Sequence, residues 1–191
     1  MNAVRIAALI LLLAVLLTIC DDVAHVQQGV LSYRDPDAGS LLPDQPTLAV
    51  FAGFLALATA LVLTGVRLFG RELAPGWAKP IAAVVLFLAL YGLTGTFKDH
   101  PMALYSAYVL LWPGLMRFAG LDLWRLVVFS VALAVIGPLA EGVRADDGFF
   151  AYADVDAFHV PMWLSALYLN GAVAGALLCA QVAAVNRRRG G

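Results

Sequence analysis

The side chains best suited to chemistry are three histidines, each of which has aspartate close by in the sequence. They occur as Asp21-Asp22-x-x-His25, as Asp99-His100 and as Asp154-x-Asp156-x-x-His159. In a helix, Asp21 and His25 would share a face at i, i+4, and Asp156 and His159 would share one at i, i+3. Imidazole and carboxylate groups bind zinc, and zinc with an open position activates water for hydrolysis. One function open to this chain is therefore that of an intramembrane, metal-dependent lipid hydrolase using His25, His100 and His159.

The spacing of these residues favours a simpler interpretation. Neither His-x-x-x-His nor His-Glu-x-x-His, the spacings typical of helical zinc sites, occurs in the sequence. Short His/Asp pairs are also common as loop and helix-end residues. We therefore expect no metal, no cofactor and no catalytic residue.

Six apolar segments must position these side chains. Hydrophobic residues make up 62% of the 191 residues and charged residues only 13%, which is more apolar surface than a soluble fold can cover. A helix needs about 20 apolar residues to cross a bilayer. The segments that fit cover residues 4–20, 47–69, 80–97, 101–118, 121–143 and 160–186. The sequence predicts an all-α polytopic membrane protein, with residues 1–191 forming one transmembrane domain, a bundle of six transmembrane helices.

The charges predict the orientation of this bundle. With six spans, nine of the twelve basic residues fall on the side of the two termini, and most acidic residues fall on the other. Basic residues are retained in the cytoplasm. We expect a multi-pass protein of the bacterial cytoplasmic (inner) membrane, with both termini cytoplasmic. The short basic loops carry no nucleotide motif, and we expect no nucleic-acid partner.

The helix interiors are predicted to be without charge. Glu141 lies near the end of its segment, where a long side chain can reach the interface. Ion-coupled transporters place charges at mid-membrane, so this pattern argues against transport. Weak polar groups instead favour a cavity for a mostly apolar ligand that makes one or two hydrogen bonds. The side chains expected to contact such a lipid are Tyr91, Thr94, Tyr105, Tyr108, Trp163 and Asn170.

The segment before the last helix resembles the Insig family, the sterol-responsive regulators of the endoplasmic reticulum. The matching residues are Tyr152, Asp156, Val160, Trp163, Leu164 and Gly171, at the spacing that recurs in that family. The polar stretch 21–33, Pro46 and Arg67-x-x-Gly70 are similar more loosely. In the middle hairpin, the compressed Lys98-Asp99-His100-Pro101 departs from the family pattern, so its sterol-binding and partner-binding residues are not carried over.

The resemblance implies a non-enzymatic membrane protein that senses a lipid held between its helices. The ligand would be sterol-like or a neutral glycerolipid, for example diacylglycerol. Asp156 and Trp163 would support the fold. Gly171-x-x-x-Gly175 permits close helix contact, and we expect a homo-oligomer, a dimer or a trimer.

Overall fold

A computed structural model of the protein describes residues 3–33 and 48–188, which form six long helices. Their bounds are α1 Ala3–Asp21, α2 Leu48–Phe69, α3 Ala78–Thr96, α4 Pro101–Ala119, α5 Leu123–Asp146 and α6 Trp163–Arg188. Every bound lies within three residues of the one expected from hydropathy. The predicted all-α bundle of six membrane helices is confirmed.

Five of these helices are long and apolar enough to cross a membrane, all except α4. With 19 residues, α4 is as long as α3, but it is less apolar because it contains two tyrosines, Pro113 and Arg117. It packs mainly on α6 and also contacts α3 and α5.

The last helix, α6, is the centre of the bundle. It packs against α2, α3, α4 and α5, while α1 packs mainly on α2. Small residues allow this close approach: a Cβ at Gly171 would lie 2.8 Å from the Phe87 ring, and one at Gly175 would lie 2.8 Å from Leu61. The described residues of α2 and α5 both pack on α6. They touch each other near the end of α2, where the Phe69 and Phe129 ring centroids are 5.6 Å apart. Elsewhere few contacts join them, which leaves a gap between the two helices towards the start of α2.

The end of the bundle that holds the first residue of α1 and the last of α6 will be called the termini end. Here Arg5 donates to Asn186 Oδ1 at 2.8 Å, which joins α1 to α6. Arg125 donates to the Leu68 carbonyl at 3.2 Å, and Arg187 donates to the Glu72 carbonyl at 2.7 Å. Basic side chains at this end thus donate hydrogen bonds to carbonyls in and just beyond the last turn of α2, which have no partner within the helix. They also contribute to the charge pattern that predicts the orientation in the membrane.

The opposite end, which will be called the β end, contains structure that hydropathy did not predict. A π-helical turn, Asp22–Val26, continues α1. It is followed by strand β1, Leu31–Tyr33, which pairs antiparallel with strand β2, Phe150–Tyr152. In this register Leu31 faces Tyr152. Three-residue strands are too short to show an alternating pattern in the sequence, so they could not be recognised there.

Candidate functional site

A buried acid–histidine pair lies where α1 meets the β end. Asp21 is 5% exposed and His25 is 1% exposed. His25 Nδ1 lies 3.1 Å from Asp21 Oδ1, as expected for an i, i+4 pair on one helical face. The Tyr33 hydroxyl donates to Asp21 Oδ2 at 2.6 Å, and the Tyr91 hydroxyl donates to Oδ1 at 3.4 Å. The pair therefore ties α1 to α3 and to β1.

The partners of His25 determine its tautomer. The Thr94 hydroxyl lies 2.6 Å from the Tyr91 carbonyl, which can only accept, so the hydroxyl proton points there. The Thr94 oxygen, 3.0 Å from His25 Nε2, must then accept from an Nε2 proton. A second proton is needed between Nδ1 and Asp21, and it can reside on either atom. The pair has no net charge in either case.

A second acidic side chain, Glu141 of α5, lies inside the bundle. It accepts a hydrogen bond from Tyr168 at 2.6 Å and another from Tyr152. The sequence predicted that α5 ends at residue 143, but the helix continues to Asp146. This extension keeps Glu141 more than a turn from the helix end, so its carboxylate does not simply reach the interface. Together with buried Asp21 and His25, it shows that the predicted charge-free interior was wrong.

The two strands supply tyrosine hydroxyls that remain protonated donors. Burial raises the pKa of Tyr33 above its usual range, and the nearby Asp21 carboxylate raises it further. Burial also raises the pKa of Tyr152, with Glu141 as the next contribution. Each carboxylate thus has a tyrosine from the β pair that donates to it and does not compete with it for negative charge.

A cavity in two adjoining parts leads away from these carboxylates. The apolar part, about 80 Å³, is lined almost entirely by hydrocarbon side chains of α1, α2, α3, α5 and α6. The polar part, about 320 Å³, lies towards the β end and is lined by Asp21, Tyr33 and Arg144 among others. Four side chains line both parts: Phe54, Leu57, Glu141 and Tyr168. Glu141 and Tyr168 therefore stand where the apolar and polar parts meet.

Of the six side chains predicted to contact a lipid, Tyr91 lines this cavity. The other five lie outside its described walls, and their polar groups serve the packing of the helices. Thr94 accepts from His25, the Tyr108 hydroxyl donates to the Leu90 carbonyl at 2.7 Å, and Asn170 donates to the Tyr108 carbonyl at 3.0 Å. Trp163 packs 5.6 Å from the His25 ring, and Tyr105 is half-buried against the same core.

Two solved structures match the chain over almost its whole length. One is a mycobacterial Insig homologue, MvINS from Mycobacterium vanbaalenii, with 25% identity and a TM-score of 0.75. The other is a cross-linked trimer of an arginine-to-cysteine variant of MvINS, with 26% identity and a TM-score of 0.74. In both, the match covers 96% of each chain. The chain is a bacterial Insig-like protein. No protein-family model matches it, and no curated protein does.

The residues that match the Insig pattern mostly build the β end of this Insig-like chain. Val160, Trp163 and Leu164 are buried in one core cluster with Tyr152. Asp156 accepts from the Met162 backbone N–H at 2.8 Å and so fixes the turn that leads into α6. In this structure Asp156 makes a turn contact and Trp163 a core contact.

The structure of the Insig-like chain does not bring its three histidines together. His25 is buried, His100 is exposed just before α4, and His159 is exposed with Nε2 3.3 Å from Asp146 Oδ1. Asp156 and His159 do not share a helix, since Phe158 and His159 adopt φ of 52° and 63°. Within residues 3–33 and 48–188, no group of three or more His, Cys, Asp or Glu side chains could hold a metal.

The polar residues that the sequence interpretation missed are Asp21, Tyr33, Glu141 and Tyr168. One signal was available for them. An acidic residue inside a hydrophobic segment is costly and marks a functional site by default. Glu141 fits this description because α5 continues three residues beyond its predicted end.

Proposed function

We propose that this Insig-like chain is a non-enzymatic membrane protein that binds and senses a neutral amphipathic lipid between its helices. The observation that carries the proposal is the cavity, whose apolar part meets the polar part at a carboxylate held by two tyrosines. A chain of CH₂ groups suits the apolar part, because hydrocarbon gains about 0.8 kcal/mol for each CH₂ removed from water. Tyr91 would contact this part of the ligand.

The polar part favours a headgroup that donates hydrogen bonds. Glu141 and Asp21 accept when ionised, and a ligand hydroxyl could complete their coordination. A phosphate close to the ionised Glu141 carboxylate would be repelled. A sterol-like lipid or a neutral glycerolipid, for example diacylglycerol, meets these requirements.

The bilayer setting follows from the charges. Nearly all basic side chains of the described helices lie at the termini end, which supports a cytoplasmic location for both termini in the bacterial inner membrane. The β end would then face outward. The reported MvINS trimer supports a homo-oligomer, a trimer or a dimer, for this chain as well.

Lipid extraction and native mass spectrometry of the purified protein test the proposal. We expect one neutral lipid to remain bound per chain in several mild detergents. Ala58, which is 1% exposed and lines the apolar part, offers a variant that reduces the free space. Ala58→Leu should lose lipid, whereas Ala82→Leu on an exposed face of α3 should retain it. A wild-type protein that is empty in every detergent, or equal retention in both variants, would contradict lipid binding.

Replacing Glu141 by Gln tests the polar end of the cavity. Gln keeps the shape but removes the charge, and charge-assisted hydrogen bonds contribute about 1 kcal/mol more than neutral ones. We expect about fivefold weaker retention of a hydroxyl-bearing lipid. Glu72→Gln at the termini end is the matched control. The hydrolase alternative predicts a different result, namely stoichiometric zinc that is lost in His159→Ala.

A further inference from the structure

Within residues 3–33 and 48–188, the cavity is open on one side, through the gap between α2 and α5. Its polar part is bounded by Gly53, Ala56 and Ala60 of α2 and by Ile136, Gly137 and Ala140 of α5. Ala56, Ala60, Ile136 and Ala140 are exposed, although each lies within a long helix of the bundle. Few contacts join α2 to α5 at this level, so these side chains border a space that no described side chain fills. The gap is therefore an opening in the side of the bundle, at the level where lipid surrounds the helices.

Small side chains keep this opening free. Glycine or alanine occupies five of the six positions named on the two helices. Phe54 and Leu57 of α2 and Glu141 of α5 line both parts of the cavity. A lipid acyl chain that enters between α2 and α5 thus reaches the apolar part of the cavity directly.

One long side chain lies across the β-end margin of the opening. Arg144 extends from α5 to α2, where a Cβ added to Gly53 would lie 2.8 Å from its guanidinium carbon. The guanidinium also lies 5.8 Å from the Phe149 ring centroid. Among the described residues, no carboxylate lies within the 4 Å of an ion pair with Arg144. In the part of the chain that the structure describes, the side chain is thus held by packing on a glycine and a ring.

We propose that lipid enters and leaves the cavity sideways between α2 and α5, and that Arg144, resting on Gly53, closes this entrance. The inference rests on the proposed lipid binding and adds the route and the side chain that controls it. A guanidinium that no described carboxylate holds can swing away when a lipid arrives, and its N–H groups can bind the ester or hydroxyl oxygens of the passing headgroup. Asp21 and Glu141 then receive the headgroup further inside.

Lipid exchange measures this route directly. The protein is incorporated into phosphatidylcholine vesicles, mixed with vesicles that contain deuterated dioleoylglycerol, and analysed for bound labelled lipid by native mass spectrometry over time. Arg144→Ala removes the closing side chain, and Gly53→Ala fills the space in which its guanidinium lies. Arg67→Ala at the termini end and Gly92→Ala, where nothing lies within 4 Å of the added Cβ, are the matched controls.

We expect both test variants to exchange lipid about tenfold faster than wild type, which corresponds to about 1.4 kcal/mol of barrier, with little change in occupancy at equilibrium. A bismaleimide cross-link between Ala56→Cys and Ala140→Cys, made in a chain with Cys20 and Cys179 replaced by Ala, should slow exchange instead.

The possible failures are distinguishable. If wild type neither copurifies with a lipid nor takes up the probe, the proposed function fails and the entrance with it. If wild type exchanges lipid while the variants match their controls and the cross-link has no effect, the entrance is wrong and lipid binding stands. If Arg144→Ala lowers occupancy without faster exchange, Arg144 binds the ligand and does not close the entrance.

Discussion

Truncation of either partner in the buried Asp21–His25 pair leaves the other without its counterpart inside the bundle. The two side chains are 7% and 1% exposed, respectively, so water cannot replace the lost partner. Removing one member of a buried pair costs about 3–5 kcal/mol. Asp21→Ala and His25→Ala should therefore each destabilise the protein by this amount, and at about 2–4 °C per kcal/mol the midpoint of thermal unfolding should fall by about 6–20 °C.

The double variant decides whether pairing is the cause. With both groups removed, no uncompensated polar group remains in the pair, so the double variant should be less destabilised than the two single variants combined. The coupling energy should reach about 2–3 kcal/mol, the upper part of the range for residues in contact. The assay is thermal unfolding in detergent, followed by size-exclusion chromatography of the remaining folded protein.

The exposed Asp146–His159 pair provides a matched cycle. Its side chains are 74% and 59% exposed, and such pairs contribute about 0–1 kcal/mol. Additive effects at Asp21 and His25, with a coupling no greater than that of the exposed pair, would refute the argument that the buried pair acts as one unit.

Three further sets of substitutions test separate parts of the structure. Gly171→Ala places a Cβ 2.8 Å from Phe87 and should lose about 1–3 kcal/mol in thermal unfolding. Gly92→Ala, with open space around it, should be neutral or gain about 0.5–1 kcal/mol, and equal stability of the two variants would contradict the packing. Asp122 caps α5 by accepting from the Arg125 N–H at 2.8 Å, so Asp122→Ala should lose about 0.5–2 kcal/mol while Asp122→Asn loses less; an equal loss would count against the cap. Because the pKa values of Tyr33 and Tyr152 are raised by folding, their contribution to stability is present below pH of about 10, the unfolded value, and declines as the pH rises beyond it. Ultraviolet difference titration measures the absorbance change on tyrosine ionisation. We expect Tyr33→Phe and Tyr152→Phe to leave the change near that pH intact, because these two tyrosines stay protonated there. A smaller change in either variant would contradict the raised pKa of the tyrosine that it replaces.

Hydropathy and charge predicted the six helices because a bilayer imposes length and apolar composition on every span. The same constraint prevents the sequence from showing which face of each helix points to lipid and which points to the bundle. A side chain that points to lipid and one that points to α6 are both apolar, so the sequence could not show that Tyr108 and Asn170 pack between helices and do not line the cavity. The gap between α2 and α5 depends on how both helices pack on α6. It therefore cannot be predicted from the sequence of either helix alone.

Small errors in the predicted ends of α1 and α5 changed the predicted location of the acidic side chains. Three extra residues of α5 moved Glu141 from the expected interface to the cavity. The π-helical turn after α1 keeps Asp21 and His25 inside, although both seemed to belong to an exposed polar stretch of the sequence. The resemblance of residues 152–171 to Insig proteins pointed to the β end of the molecule, but it did not identify the carboxylates there.

The central position of α6 has a consequence for how the chain is made. Buried residues make up 72% of its apolar window, against 11% in α1, so the most buried span is the last to be synthesised. As α1–α5 emerge, each can enter the bilayer as a separate helix, but the axis on which four of them pack is still missing. Assembly of the bundle must therefore wait until α6 has been synthesised, and a chain that stops before residue 163 would be inserted in the membrane without its core.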